Sequence, residues 1–224
     1  MKELLYYFFN LEVIGRYLPQ LLQGLLVTIE MAMLIIIAGL LLGLLLAVIR
    51  SYQIKVINFF IVFFVDSFRA IPQLVLVVLT YFALPYVGVT FSPFFATVIT
   101  LSLVLAAFSE EIFWAGITAI TKGQWEAARS TGLTFNQAMF LVILPQAVKI
   151  AVPPLTNRTI AITKGTSLGS VIAVQEVLSV ATSTQSLAAN PSPLTMGAIL
   201  YLLLFFPFVR LVRSLEKRYG GWRS

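Results

Sequence analysis

The sequence contains no cysteine and no histidine. That excludes disulfides, thiol nucleophiles, imidazole bases and the usual zinc-ligand sets, so no catalytic residue and no metal site is assigned to it. Charge is scarce as well: 11% of the 224 residues are charged against 59% hydrophobic, and the mean hydropathy is +0.96. A soluble domain of this size needs a polar coat that such a composition does not supply. A GxxxxGK[ST] phosphate loop is also missing, since Gly165-Thr166-Ser167 lacks the glycine spacing and the preceding lysine arrangement. Nucleotide hydrolysis, where it is needed, belongs to another polypeptide, and the chain itself carries no cofactor.

What the sequence does have is apolar runs that approach or exceed the ~20 residues a helix needs to cross hydrocarbon. The first covers 21–49, with Gln23, Thr28 and Glu30 as its polar positions and Arg50 closing it. The stretch 54–86 is too short for two spans and is interrupted by Asp66, Ser67, Arg69 and Pro72. It predicts an approach segment to about Arg69, then a span from Pro72 to about Leu84 or Tyr86. Ser92-Pro93 reads as a cap residue followed by proline at the first helical position. It opens a third span to Ala107, continuing through Glu110 and Glu111 towards Gly116. A fourth, at 160–180, is less hydrophobic and contains Lys164, Thr166, Ser167, Gln175 and Glu176. Such residues are costly against lipid, which places that helix inside a bundle or along a cavity. Residues 194–212 form the fifth.

The expected fold is therefore an all-α membrane protein with five transmembrane helices in a single domain over 21–212. Residues 1–20 precede it as an external or interfacial segment, with no small-residue cleavage pattern before Arg16, and 213–224 follow as a basic tail.

The formal charge of +6 is placed at the ends of apolar runs and at the C-terminus, which speaks for membrane orientation and against nucleic acid. Arg50 to Lys55, the region from Lys122 to Arg158 and the C-terminal cluster of Arg210, Arg213, Lys217, Arg218 and Arg223 fall on one side. The stretches 85–92 and 181–193 carry no charge. Five spans then leave the N-terminus outside and the C-terminus in the cytoplasm.

Residues 116–154, the longest region without a convincing span, have their own local grammar. Residues 124–131 suit a short helix stopped by Gly132 in a left-handed C-cap, with Leu133 as the hydrophobic residue just beyond. Thr134 and Gln137 match a capping box that starts a second helix, expected to reach Leu144 before Pro145 interferes. The small side chains of Ala127 and Ala128 permit close approach of a partner surface. Glu126 falls in the expected first turn, where the helix dipole favours a carboxylate by ~0.3–1 kcal/mol. It either caps a surface helix or makes a contact.

Gln124-Trp125-Glu126-Ala127-Ala128-Arg129-Ser130-Thr131-Gly132, followed by Ile143-Leu144-Pro145-Gln146-Ala147, resembles the EAA loop of bacterial ABC importer permeases of the polar amino acid uptake subfamily. The resemblance continues through Pro153-Pro154-Leu155-Thr156-Asn157 and Lys164-Gly165-Thr166-Ser167-Leu168, and covers roughly the whole chain. There are two departures. Phe68-Arg69-Ala70-Ile71-Pro72 stands where the family usually has Arg-Gly-Thr-Pro, and Trp114 stands where an arginine commonly follows Glu-Ile-x. The resemblance implies five spans per chain in the bacterial cytoplasmic membrane and pairing with an identical or related permease. It also implies two P-loop ATPase subunits carrying ATP and Mg, and an extracytoplasmic substrate-binding protein. It makes Glu126, Ala127, Ala128, Gly132, Leu133, Leu144 and Pro145 the coupling element to the ATPase, a lever bracketed by Gly132 and Pro145.

A polar amino acid brings an ammonium and a carboxylate, so its path should offer hydroxyls, amides and helix ends with a charge of each sign. Glu111, Asn157, Lys164, Thr166, Ser167 and Gln175 are the candidates. The bland alternative for Thr166 and Ser167 is hydrogen bonding across helices. Glu30, Arg69 and Glu176, with Pro72, are either structural, by snorkelling or pairing, or part of the path. The rival functions are a passive small-solute channel and a non-transporting membrane scaffold or receptor.

Overall fold

The computed structural model describes residues 6–219, with side chains throughout except at 211–213 and 215–219. The basic tail expected at 213–224 has most of its side chains outside the described residues, as are Lys2 and Glu3. The described chain is helical: α1 (Leu11–Ser51), α2 (Lys55–Ala70), α3 (Gln73–Phe82), α4 (Pro93–Ala119), α5 (Lys122–Ser130), α6 (Phe135–Ala138), α7 (Leu144–Thr163), α8 (Val177–Ala188) and α9 (Ser192–Tyr219). Short 3-10 turns occupy Leu84–Val87 and Lys164–Ile172, and a π turn occupies Met139–Ile143. Four helical runs are long and apolar enough to cross a bilayer: Tyr6–Ser51, Pro93–Ala119, Phe135–Ile172 and Ser192–Arg210. The α2–α3 pair, bent by 105°, adds a fifth as a broken span. The all-α, multi-span expectation is met.

The α2–α3 break falls at Pro72, between the expected approach segment and the expected span. Proline disfavours the helical conformation in the residue before it. Ile71 is accordingly extended, at φ −86° and ψ 133°, and Pro72 starts α3 as its cap.

Several boundaries differ from expectation. Residues 11–20, expected in the interfacial segment, form the first turns of α1, with Pro19 inside the helix. The start is set by Asn10, whose Oδ1 accepts from the N–H groups of Glu12 (3.1 Å) and Val13 (3.2 Å). At 41 residues α1 is roughly 60 Å long, about twice the hydrocarbon thickness. Pro145 does not end its helix. The π turn immediately before it carries the chain on, with Leu144 N–H bonded to the Met139 carbonyl, so one continuous helical run reaches Ile172. The fourth span expected at 160–180 is broken instead at Ala173, left-handed at φ 65°, and α8 begins as a separate helix after Glu176.

The chain forms two compact units. The first comprises Pro72–Ser102, Ile162–Val209 and the chain up to Ile36. Its apolar centre is Leu21, Val177, Val180, Ala181 and Leu200. Asn10 N–H donates to Ser192 Oγ (2.9 Å), and Thr100 donates to Thr80 (2.8 Å).

The second unit comprises Ile37–Ile71, Leu103–Ala161 and the chain from Arg210. Its centre includes Ala47, Phe113, Met139, Ile143 and Ala147. Here α1 and α4 touch backbone to backbone. A Cβ at Gly43 would lie 2.5 Å from Ser109 Cβ, 2.8 Å from the Ala106 carbonyl oxygen and 2.9 Å from Glu110 N, so only glycine permits that approach.

Candidate functional site

The coupling element predicted from the sequence is a capped helical hairpin in the second unit. Thr134 Oγ1 accepts from Gln137 N–H (3.3 Å) while Gln137 Oε1 accepts from Thr134 N–H (2.8 Å), the expected capping box. Gly132 takes φ 90°, the left-handed conformation required after α5. Aromatic contacts fasten the hairpin at its base. Trp125 stacks on Phe135 with centroids 5.1 Å apart, Tyr52 meets the same ring at 5.3 Å, and Tyr52 donates to Asn136 Oδ1 (3.0 Å). Trp125 and Phe135 also pack on the Met139 and Ile143 cluster, which ties the hairpin to the core of its unit.

Glu126, Ala127, Arg129 and Gly132 are exposed on this hairpin, and Ala128 is buried. Because α5 begins at Lys122, Glu126 stands just past the first turn, where the dipole effect expected for it has largely faded. Leu133 and Leu144 are half-buried and Pro145 exposed. Two shallow apolar grooves flank this unit's helices, one lined by Phe140, Leu144, Pro145 and Val148, the other by Leu46, Phe60, Ile61 and Phe64. Neither contains a residue proposed for a polar cargo.

The cargo candidates divide between the units. Glu111 and Asn157 belong to the second, and Lys164, Thr166, Ser167 and Gln175 to the first. Asn157, Lys164 and Gln175 are exposed. Thr166 is fully buried and donates to the Thr163 carbonyl (2.9 Å), while Ser167 donates to the Lys164 carbonyl (3.1 Å). The two hydroxyls therefore bond within their own turn. Glu30 is exposed on α1. On the exposed face of α7, Ile150, Pro154, Asn157, Arg158 and Ala161 recur at helical spacing.

Two buried carboxylates organise the units, one of which sequence reasoning passed over. Glu110, not Glu111, is the fully buried member of the adjacent pair. Arg50 Nη1 donates to both its oxygens, at 3.1 and 3.2 Å, and the Arg50 guanidinium lies 4.7 Å over the Trp114 ring. Glu111 is half-exposed and pairs with Arg69 at 2.6 Å. Arg50 closing α1, with two acids in the next long span, was the signal available for this pairing.

The other carboxylate, Glu176, is fully buried and caps α8. It accepts from Leu178 N–H (2.9 Å), Ser179 N–H (2.7 Å) and the Tyr201 hydroxyl. Thr28 reinforces that start by accepting from Val177 N–H at 3.3 Å. These bonds make Glu176 the cap of α8, and they bring in Tyr201, which nothing in its local sequence marks. Among the described residues no group of acids could hold a metal ion.

Membrane-crossing helices with a folded hairpin between two of them define a class: a multi-pass membrane protein. Comparison with known proteins makes the class specific. Residues 39–221 match the family described as binding-protein-dependent transport system inner membrane component. The chain is 33% identical over 216 residues to the probable glutamine ABC transporter permease protein GlnP of Bacillus subtilis (strain 168), covering 93% of this chain and 99% of that one. It is 31% identical over 203 residues to the arginine transport system permease protein ArtQ of the same organism, covering 90% and 93%. Among solved structures, an amino acid ABC transporter crystallised with histidines matches with TM-score 0.82 at 33% identity, over 92% of this chain and 96% of that one. The inward-facing MetNI methionine ABC transporter shares the fold, with TM-score 0.62 at 21% identity. The chain belongs to the binding-protein-dependent transport family: it is a permease subunit of a bacterial ABC-type importer, a multi-subunit machine whose ATPase is a separate chain.

Proposed function

We propose that this permease forms the alternating-access path for a polar amino acid and pairs with an identical or related permease. Two P-loop ATPase subunits, carrying ATP and Mg, seat the hairpin of α5 and α6, and an extracytoplasmic binding protein delivers the cargo. The N-terminus lies outside and the C-terminus in the cytoplasm, as the placement of basic residues favours. The polar amino acid cargo is supported by relatives named for glutamine, arginine and cystine transport.

One observation carries the coupling role. The hairpin exposes Glu126 and Ala127 while its other side is bolted by Trp125 and Phe135 to the unit that contains the C-terminal part of α4 and most of α7. A rigid body so attached transmits displacement of a partner to the spans instead of absorbing it. Since the helical run passes through Pro145 without a break, the moving part is the hairpin together with α7, longer than a lever ending at that proline.

The test is uptake of L-glutamine, L-arginine and L-cystine into proteoliposomes containing the complete transporter with ATP inside. Wild type should accumulate at least one of them uphill. Glu126→Ala should weaken recovery of the ATPase subunit with the permease, or lower uptake per ATP hydrolysed. Uphill uptake that survives disruption of the hairpin, or flux that ignores ATP, would refute the coupling role and point to a channel.

A further inference from the structure

After α7 the chain runs for nine residues, Lys164–Ile172, as a 3-10 helix. Hydrogen bonds in this winding are poorer than in an α-helix, so such runs seldom exceed about three or four residues, and a long one inside a helical stretch marks a hinge or a strained segment. This one ends the helical run Phe135–Ile172 and follows directly on the α-helical turns that close at Thr163.

The residues of the segment suit the tighter winding. Three hydroxyls donate to the carbonyl three residues back: Thr166 to Thr163 (2.9 Å), Ser167 to Lys164 (3.1 Å) and Ser170 to Ser167 (2.7 Å). Gly165 and Gly169 weaken the preference for an α-helix and admit their neighbours at close range. A Cβ at Gly165 would lie 2.8 Å from Gln73 Oε1 on α3, and one at Gly169 would lie 3.0 Å from Thr97 Oγ1 on α4. With no side chain at either position, the segment can turn about its axis without driving a group into α3 or α4.

Its far end is strained and fixed. Ala173 is left-handed at φ 65°, a conformation that a Cβ disfavours, and such residues gather at moving parts of proteins. The Ala173 N–H donates to the Ser170 carbonyl (3.1 Å), and the Val174 N–H reaches back to the Gly169 carbonyl (3.0 Å). The second bond is the closure that ends an α-helix in a Schellman motif, so a 3-10 run carries an α-helical stop. Beyond it Glu176 caps α8, and Thr28 on α1 accepts from Val177 N–H.

We propose that Lys164–Ile172 is a joint of variable length, which converts between 3-10 and α-helical winding during the transport cycle. This rests on the alternating-access reading above and deepens it. The rise per residue is about 2.0 Å in the one and 1.5 Å in the other, so conversion of the nine residues shortens the segment by about 4.5 Å and rotates its ends by about half a turn. Because the far end is tied to α1 and to the cap of α8, the displacement is delivered to the near end, where the segment continues α7.

The test uses spin labels on Ala161→Cys and Val171→Cys, two exposed positions in a chain that has no cysteine of its own. Dipolar broadening in continuous-wave EPR is read on the complete transporter in proteoliposomes, nucleotide-free and after trapping with ATP and vanadate. The two states should differ in label separation by about 3–4 Å, half an ångström for each converted residue between the labels. Ser170→Ala, which deletes a hydroxyl bond of the 3-10 form, should move both states towards the shorter separation and change uptake per ATP hydrolysed by at least about twofold. Ser170→Thr, which keeps the hydroxyl, should restore the wild-type separations. Where the labelled pair fails to assemble, hydrogen exchange of the 164–172 amides in the unlabelled transporter carries the test, with a difference of at least about fivefold expected between the two states. Equal separations, or equal exchange, in a transporter that imports amino acid overturn the joint, as do unaltered separations in Ser170→Ala. Failure of the wild type to import L-glutamine, L-arginine or L-cystine is a different result, and it overturns the import reading itself.

Discussion

Arg50→Ala and Glu110→Gln remove opposite halves of one ion pair and should not cost the same. Glu110 is completely buried, whereas the Arg50 side chain retains 21% of its exposure and lies over Trp114. Deleting Arg50 strands a carboxylate with no solvent and no counter-charge, and breaking a buried pair in this way costs about 3–5 kcal/mol. Neutralising Glu110 leaves an amide oxygen that still accepts from Arg50, while the guanidinium keeps its ring and some solvent, so the loss is about 1–2 kcal/mol. The double variant Arg50→Ala/Glu110→Gln should recover much of the damage done by Arg50→Ala, since no buried charge is left. Thermal melts of the purified protein in detergent should place Arg50→Ala on the order of 10 °C below wild type, using the usual conversion for chains of this length. Equal losses for the two single variants would refute the asymmetry. A double variant no better than Arg50→Ala would refute the stranded-charge explanation itself.

Other perturbations follow from the same packing. Gly43→Ala places a Cβ against the backbone of α4 and should cost about 1–3 kcal/mol or more, while Gly15→Ala, with nothing within 4 Å, should leave the melting temperature unchanged or slightly raised. Tyr201→Phe removes one of the three donors to Glu176 and should destabilise by about 1–3 kcal/mol. Hydrogen exchange should show the loss first at α8, and unchanged protection there would count against Tyr201 as its support. Gly132→Ala forces a side chain into a left-handed conformation at about 1–2 kcal/mol. On the proposed coupling role it should lower uptake per ATP hydrolysed more than it lowers thermal stability, and an unaltered ratio would separate the hairpin from energy transfer.

Local chemistry in the sequence was sufficient wherever the deciding forces act over a few residues. Apolar runs against few charges required a membrane fold, Pro72 interrupted the second run, and Gly132 with Thr134 and Gln137 specified the hairpin's turn and cap. Each is a matter of backbone conformation or of solvent preference along one segment. What only the tertiary structure decided depends on partners far along the chain. Glu110 rather than Glu111 is buried because Arg50, 60 residues earlier, meets it there, and Glu176 becomes a cap because Tyr201 and the start of α8 surround it. Pro145 passes through a continuous helix because a π turn realigns the hydrogen bonds ahead of it. Arg158 looked like one more basic residue in the sequence. Only packing set it on Phe108, since stacking is decided by which helices meet, and that information is not local.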